Sequence, residues 1–230
     1  MSRIAIIAAL PGELKPLVRN GTWRQTNIGS ASNLWTGSLA GHEAVAIAGG
    51  VGAAAAARAV DLALSHNPAA AALISYGWAG AITCAVKPPS AFAISEVIDH
   101  GTGERFATCS REGLRLITLD HVAGVNEKRP LAERHQAVLV DMEAAAVARA
   151  ATRHNIAFYC FKSISDGYTD RLPDFTRFIA PDGRFRMPPF LAYAATHPVY
   201  WPPLIRLGKN SARAASNLAR FISKTFPATL

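Results

Sequence analysis

Two acidic residues follow apolar runs that have the composition of buried strands. Glu13 comes shortly after the run Ile4–Leu10. Asp166 comes shortly after the run Ile156–Ile164. A carboxyl group held at the end of a strand can act as a positioned acid in catalysis. Both residues also have a structural explanation, because an acidic side chain stabilises the first turn of a helix and Asp-Gly is common in turns. The residue types alone leave both explanations open.

A second acidic pair, Asp141 and Glu143, lies at the start of Val140–Arg153, a segment with helical propensity. Acidic residues at this position commonly cap a helix or interact with its dipole. A functional alternative is that one carboxylate accepts hydrogen bonds from the two hydroxyls of a ribose.

Glycine-rich segments accompany these acids. Gly49-Gly50-Val51-Gly52 precedes the alanine-rich segment Ala53–Ser65, which has the composition of a helix. Backbone amides of such a turn can approach an anion, although the spacing is not that of a dinucleotide-binding fingerprint. Gly77-Trp78-Ala79-Gly80 follows the apolar run Leu73–Tyr76.

Strand and helix patterns alternate along the chain, which predicts an α/β sheet with helices on both faces. The carboxyl ends of strands in such sheets form the ligand site, and Glu13, Gly77–Gly80 and Ser165-Asp166 all fall there. The remaining predicted strands are Asn33–Ser38 and His42–Ala48, which form a hairpin, then Phe92–Ile98 and Leu114–Leu119, and a helix is predicted from Pro11 to about Arg19.

The composition predicts one compact domain that needs no disulfide or structural metal, since 50% of the 230 residues are hydrophobic. The three cysteines are far apart and form no CxxC pair, which fits a reduced cytoplasm. No signal peptide is predicted at Ile4–Leu10. The uncharged stretch Asn67–Val86 contains Pro68 and two glycines and is not predicted to span a membrane.

Charge divides the chain into residues 1–182, a catalytic domain, and residues 183–230, a basic extension. The first part holds 17 basic and 16 acidic residues, whereas the second holds seven basic and no acidic ones. Such segregation indicates a surface-binding tail and not a nucleic-acid-binding domain.

The basic tail has the pattern of an amphipathic helix over residues 204–224. Five of its basic residues fall within an arc of roughly 60°, opposite an apolar stripe. The basic residues are Arg206, Lys209, Arg213, Arg220 and Lys224, and the stripe is Leu204, Leu207, Ala215, Leu218 and Ile222. The stripe could insert into an anionic membrane surface, or it could pack on the protein's own domain.

Four segments taken together resemble the superfamily of purine nucleoside phosphorylases and methylthioadenosine/S-adenosylhomocysteine nucleosidases. They are Ile4–Ala9 with Glu13, Gly49–Ala55, Ile74–Gly80, and Val140–Ala144 followed by Ile164-Ser165-Asp166. The resemblance implies a three-layer α/β phosphorylase-like fold, with a central mixed, partly barrel-like sheet flanked by helices. It also implies cleavage of the N-glycosidic bond of a purine nucleoside.

The same resemblance implies roles for individual residues. Asp166 corresponds to the acid that protonates purine N7, with Ser165 orienting it, and Glu13 to the carboxylate that activates the attacking water. The implied substrate-binding residues are Glu143 and Met142 at the ribose, Gly77 and Trp78 in the glycine segment Gly77–Gly80, and Val122 at the purine. No metal and no organic cofactor are expected, and inorganic phosphate is an optional co-substrate.

One departure concerns the nucleophile. Phosphorolytic members of the superfamily place an Arg and a Ser around the glycine segment that corresponds to Gly77–Gly80, where this chain has Ser75 and Trp78. A phosphate dianion needs charge-assisted donors, so this difference favours hydrolysis. Phosphorolysis stays open, because Arg58 could supply the missing charge.

The short central segment and the end of the chain resemble a narrower branch, the hopanoid-associated nucleoside phosphorylases. The matching residues are Leu172-Pro173, Ala180–Arg184, His197-Pro198 and Leu204–Lys209. This resemblance implies release of adenine from adenosylhopane by a homo-oligomer that lies in the cytoplasm or at the inner face of the membrane. The alternatives are a soluble methylthioadenosine/S-adenosylhomocysteine nucleosidase and an inactive nucleoside-binding membrane adaptor.

Overall fold

A mixed ten-stranded sheet flanked by helices forms the protein. The computed structural model describes residues 2–19, 23–28 and 32–230. The strands are β1 (Arg3–Ala8), β2 (Arg24–Ile28), β3 (Ser32–Leu39), β4 (His42–Ala48), β5 (Ala70–Ala81), β6 (Ala91–Asp99), β7 (Arg105–Ala107), β8 (Leu114–Thr118), β9 (Leu139–Asp141) and β10 (Ala157–Asp166). The helices in the described ranges are α1 (Pro11–Arg19), α2 (Ala53–His66), α3 (Val125–His135), α4 (Ala144–His154), α5 (Met187–Thr196) and α6 (Trp201–Thr225), with short 3₁₀ turns at Phe175–Phe178 and Pro198–Tyr200.

Five of the strands close into a ring. Strand β10 pairs with β5 in parallel and with β6 in an antiparallel manner, and β8 and β9 join β6 back to β5. The other side of β5 pairs with β1, which is followed by β4, β3 and β2. The mixed, partly barrel-like sheet expected from the sequence is therefore confirmed.

Alanine lets the helices pack closely on the sheet. α2 and α4 are rich in buried alanines and share one apolar core with β1, β5 and β10. Gly49 has the same function, because a Cβ there would overlap the side chain of Ala59 in α2. The alanine enrichment is thus a packing feature that holds the strand ends in place.

Two predicted boundaries are wrong. The strand predicted at Leu73–Tyr76 extends through Gly77–Gly80, because this segment pairs with β10 and Gly80 also pairs with Val140. The predicted helix Val140–Arg153 begins only at Ala144, since Val140 and Asp141 pair with β8. Asp141 is consequently the end of a strand.

The second half of α6 packs on the rest of the protein. Leu218 and Ile222 are buried in an apolar core with residues of β1, β4 and β10, and Ala215 is also buried. Leu204 and Leu207 line a cavity. Ala215, Leu218 and Ile222 of the predicted stripe are therefore covered by the protein itself, whereas Leu204 and Leu207 are half-buried at the cavity. The division into residues 1–182 and 183–230 stays a prediction.

None of the helices in the described ranges is both long enough and apolar enough to cross a membrane.

Candidate active site

A cavity of about 950 Å³ opens at the carboxyl ends of β1 and β10 and beside β5 and β9. The polar side chains of Glu13, Glu143, Ser165 and Asp166 lie on one part of its wall. Trp78, Val122 and Met142 lie on the wall as well. The structure thus brings together all of the predicted site residues except Gly77.

Glu13 is held by backbone donors from two strand ends. Its Oε2 accepts hydrogen bonds from the amides of Ala9 (2.9 Å) and Leu10 (2.8 Å), and its Oε1 accepts one from the amide of Trp78 (2.7 Å). Burial raises the pKa of the Glu13 carboxyl, and these amides and Lys162 act in the opposite direction. The side chain is fixed in orientation and keeps lone pairs for one further partner.

Gly77 supports Glu13 and is not on the cavity wall. Its φ of +153° and the carboxylate that lies directly against it leave no room for a Cβ. Gly80 has a similar function at the other acid, because a Cβ there would lie 2.9 Å from Asp166 Oδ2. The glycines at the end of β5 are thus explained by the two carboxylates that pack on them.

Asp166 ends β10 and has a partner at each oxygen. Ser165 Oγ lies 2.9 Å from Oδ1, and the ammonium of Lys128 donates to Oδ2 at 3.1 Å. Lys128 also donates to the carbonyl of Gly167 at 2.7 Å and is only 1% exposed. A buried ammonium therefore fixes the position of the predicted acid.

Lys128 is a site residue that the sequence analysis missed. It lies on α3, which was not predicted because Pro130 falls inside the helix and proline ordinarily disrupts a helix interior. The available signal was Glu127, whose carboxylate accepts a hydrogen bond from the amide of Gly124 at the helix start.

A second buried lysine, Lys162, lies among the other carboxylates. Its ammonium is 2.8 Å from Asp141 Oδ2, and both side chains are buried. Asp141 also accepts hydrogen bonds from Thr118 Oγ1 and from the amide of Ala144. Asp141 therefore joins β8, β9 and the start of α4, which leaves Glu143 as the acid of this pair with free capacity.

Glu143 combines a structural contact with an unusual protonation equilibrium. Its Oε1 accepts a hydrogen bond from the amide of Gly52 at 2.8 Å. Burial, together with the nearby carboxylate of Asp141, raises the pKa of Glu143 to about 8. The group is poised to change charge near neutral pH, as functional carboxyls often are.

The amides of the glycine turn Gly49–Gly52 do not face an external anion. The amides of Gly49 and Gly50 donate to the carbonyls of Ala8 and Ala9. Val51 donates to the carbonyl of Gly183, and the amide of Gly52 donates to Glu143. The possibility of an anion site at this turn is not supported, because every amide in it has an internal acceptor. Arg58 donates to the carbonyl of Asp182 and is not on the cavity wall.

A large apolar part of the cavity wall comes from residues after 171, while Lys15, His121, Lys128 and Asp141 add charged or polar groups elsewhere on the wall. The apolar part contains Leu172, Phe175, Ile179, Phe185, Met187, Phe190, Leu191, Ala194, Trp201, Leu204, Ile205 and Leu207. Phe175, Phe185 and Phe190 pack against one another with ring centroids 5.3–6.1 Å apart. A ligand that fills the cavity would therefore have a polar part and a sizeable apolar part.

The polar wall has the groups required for acid-base chemistry on a bond whose cleavage leaves positive charge. A positioned carboxyl can transfer a proton to a leaving group, and nearby carboxylates stabilise a developing cation. Within the described ranges, no cluster of three or more His, Cys, Asp and Glu residues could hold a metal ion.

Known proteins share this architecture. The sequence model of the phosphorylase superfamily matches residues 3–123 and 107–183. A search of curated proteins gives no match.

Three solved structures are similar over nearly their whole length. A 5′-methylthioadenosine/S-adenosylhomocysteine nucleosidase from S. pneumoniae is 20% identical, with 96% of this chain and 97% of that one covered and a TM-score of 0.71. An S-adenosylhomocysteine nucleosidase from Streptococcus pyogenes is 18% identical, with 98% of each chain covered and a TM-score of 0.72. The futalosine hydrolase of Helicobacter pylori is 13% identical, with 96% and 95% covered and a TM-score of 0.70. At these identities the likeness establishes the fold.

The raised pKa of Glu143 predicts a pH dependence of stability. The folded protein keeps a proton on Glu143 up to about pH 8, whereas the unfolded chain releases it above its ordinary pKa of 4.5. The stabilisation is therefore complete below that ordinary pKa and is lost as pH rises towards 8. Thermal unfolding of the wild type should show a Tm that falls between about pH 5.5 and about pH 8.5. Glu143→Gln should have a flatter profile, and parallel profiles for the two proteins would contradict the assignment.

The buried ion pair predicts a second effect. Lys128→Met leaves the Asp166 carboxylate without its cation and should lower the free energy of unfolding by about 3–5 kcal/mol in urea titrations. Arg129→Met on the same helix is the matched control, because it removes an exposed pair with Glu133 and should cost less than about 1 kcal/mol. Equal, small losses in both variants would show that Lys128 does not neutralise Asp166.

Proposed function

We propose that this chain, which belongs to the phosphorylase superfamily, cleaves the N-glycosidic bond of adenosylhopane and releases adenine. The observation that carries this proposal is the shared cavity. Its polar wall holds Glu13, Glu143 and Asp166, and its apolar wall comes from residues 172–207.

The size and chemistry of the apolar wall support a lipid-linked substrate. A cavity of about 950 Å³ lies near the upper end of the range for small-molecule pockets. Burying apolar surface contributes roughly 25 cal/mol per Å², so a wall of this size rewards a large hydrocarbon group on the 5′ side of the sugar.

In the proposed reaction, Asp166 enters the step in its protonated form and donates that proton to N7 of adenine. Ser165 fixes its position, and Lys128 stabilises the carboxylate that remains after the transfer. Protonation makes the base a better leaving group as the bond between C1′ and N9 breaks. Glu143, beside Met142, accepts hydrogen bonds from the ribose hydroxyls. These hydrogen bonds are strongest when the Glu143 carboxyl is ionised. Trp78 and Val122 line the cavity and would contact the base or sugar.

Water is the proposed nucleophile. Glu13 accepts the proton of a water molecule whose oxygen bonds to C1′, so that the products are adenine and the free sugar attached to hopane. Phosphate is disfavoured because the backbone amides of Gly49–Gly52 all donate hydrogen bonds within the protein. Among the described residues, no arginine lines the cavity.

The second candidate is a methylthioadenosine/S-adenosylhomocysteine nucleosidase. One similar structure carries that name and a second is named an S-adenosylhomocysteine nucleosidase, which supports this candidate at the level of the reaction. A methylthio group would leave most of the apolar wall without a partner. An inactive binding protein is disfavoured by the retention of all three carboxylates in one cavity.

Product identification tests the proposal. We expect adenine release from adenosylhopane without phosphate, with one oxygen from labelled water in the sugar product, and a larger kcat/KM than for methylthioadenosine. Asp166→Asn, with its folding checked by circular dichroism, should lower turnover by about 10²–10⁴-fold.

Other outcomes identify the alternatives. A strict phosphate requirement with a sugar 1-phosphate product would replace hydrolysis by phosphorolysis. Faster cleavage of methylthioadenosine would favour the second candidate. Tight adenine binding with no turnover on either substrate would leave the binding protein.

A further inference from the structure

Helix α5 is apolar in sequence and yet has no buried residue. Its ten residues, Met187–Thr196, include no charged side chain. A helix that meets only water normally carries charged residues on its outer face. This composition fits a helix that is covered by an apolar partner outside the chain.

The exposed large apolar side chains are concentrated beside this helix. Of the six in the described residues, five lie between residues 187 and 205. We call these five residues the rim: Met187 (50% exposed), Leu191 (57%), Val199 (74%), Trp201 (51%) and Ile205 (58%). Contiguous exposed apolar surface of this kind marks an interaction site.

The rim is also the mouth of the active-site cavity. Met187, Leu191, Trp201 and Ile205 line that cavity while remaining half exposed. Whatever covers the rim therefore lies at the entrance through which an apolar ligand would pass.

The rim is fixed to the protein. Phe190 of α5 packs on Phe175, Phe178 and Phe185, and the indole of Trp201 donates a hydrogen bond to the carbonyl of Ala194 at 2.7 Å. The elements that carry the rim are thus held to the protein and to each other by these contacts.

Charge identifies the partner. Residues 183–230 carry seven basic and no acidic side chains. Arg186 directly precedes α5, and Lys209 lies one turn beyond Ile205 on α6. A second copy of the chain is disfavoured, because a two-fold interface would set this basic segment against itself. An anionic lipid surface is complementary both to the apolar rim and to its basic surroundings.

We propose that the rim docks on an anionic lipid bilayer and inserts shallowly, so that the cavity opens directly into the lipid. The entry route rests on the proposed lipid-linked substrate, whereas the docking itself does not. A substrate could then move from bilayer to active site without exposing its hydrocarbon part to water.

Vesicle binding tests the proposal. The full-length protein should sediment with vesicles of phosphatidylcholine and phosphatidylglycerol at low salt, and more weakly with pure phosphatidylcholine or at high salt. Brominated lipids should quench tryptophan emission, and Trp201→Phe should remove most of that quenching. Val199→Asp should weaken vesicle binding by at least about tenfold, because it places a charge on the most exposed rim residue.

Leu230→Ser is the matched control. It removes an exposed apolar side chain that follows the C-terminal end of α6. That end of the helix, at Thr225, lies roughly 36 Å from Trp201 along the helix axis. It should leave binding unchanged. Val199 does not line the cavity, so Val199→Asp should also keep the wild-type rate on methylthioadenosine or another short nucleoside that the enzyme accepts.

Three results would overturn docking: no binding of the wild type to anionic vesicles at low salt, equal binding by Val199→Asp, or conversion of a dimer to a monomer by Val199→Asp in light scattering. Vesicle binding with no cleavage of any nucleoside would support docking and reject the proposed function. Cleavage without vesicle binding would do the reverse.

Discussion

The structure depends on keeping several carboxyl groups out of water at the ends of adjacent strands. A buried, isolated carboxylate is costly, so each needs a cation, a set of hydrogen-bond donors or a proton. Asp166 is next to Lys128, and Asp141 is next to Lys162. Glu13 has three backbone amides, and the pKa of Glu143 rises so that it keeps a proton. Three different means, a lysine ammonium, backbone amides and a retained proton, thus stabilise the four carboxyl groups around one cavity.

This constraint explains features of the sheet that lie away from the site. β10 carries Lys162 and Asp166 and pairs with both β5 and β6, so closing the ring brings the two ion pairs to the same end of the barrel. Gly77 and Gly80 are small because carboxylates pack directly on β5. The amides of Gly49–Gly52 that could have held an external anion are used internally, which supports the proposed water nucleophile.

The sequence predicted the fold class and most of the residues that the structure gathers around the cavity, but not every element boundary. Glu13 and Asp166 could be found because each follows an apolar run, and strand ends gather at one edge of an α/β sheet. Lys128 could not be found, because its helix contains Pro130 and its partner is distant in sequence. The start of α4 was misplaced because Asp141 resembles a helix cap while its backbone belongs to a strand.

The tail shows how one pattern can have two uses. The amphipathic pattern of residues 204–224 correctly indicates a helix, but periodicity does not say what covers the apolar stripe. Leu218 and Ile222 pack inside the protein, whereas Ile205, which lies off the predicted stripe, is half exposed at the cavity mouth. Only the packing of α6 on β10 and α1 distinguishes the two halves of the helix.

The apolar wall is proposed to bind the group attached to the 5′ side of the sugar. Steady-state kinetics on a series of 5′-alkylthioadenosines of increasing chain length tests this binding most directly. Each buried methylene contributes about 0.8 kcal/mol, so kcat/KM should rise by roughly threefold to fourfold per methylene until the cavity is filled. A kcat/KM that is constant or falls beyond the methyl compound would contradict the claim.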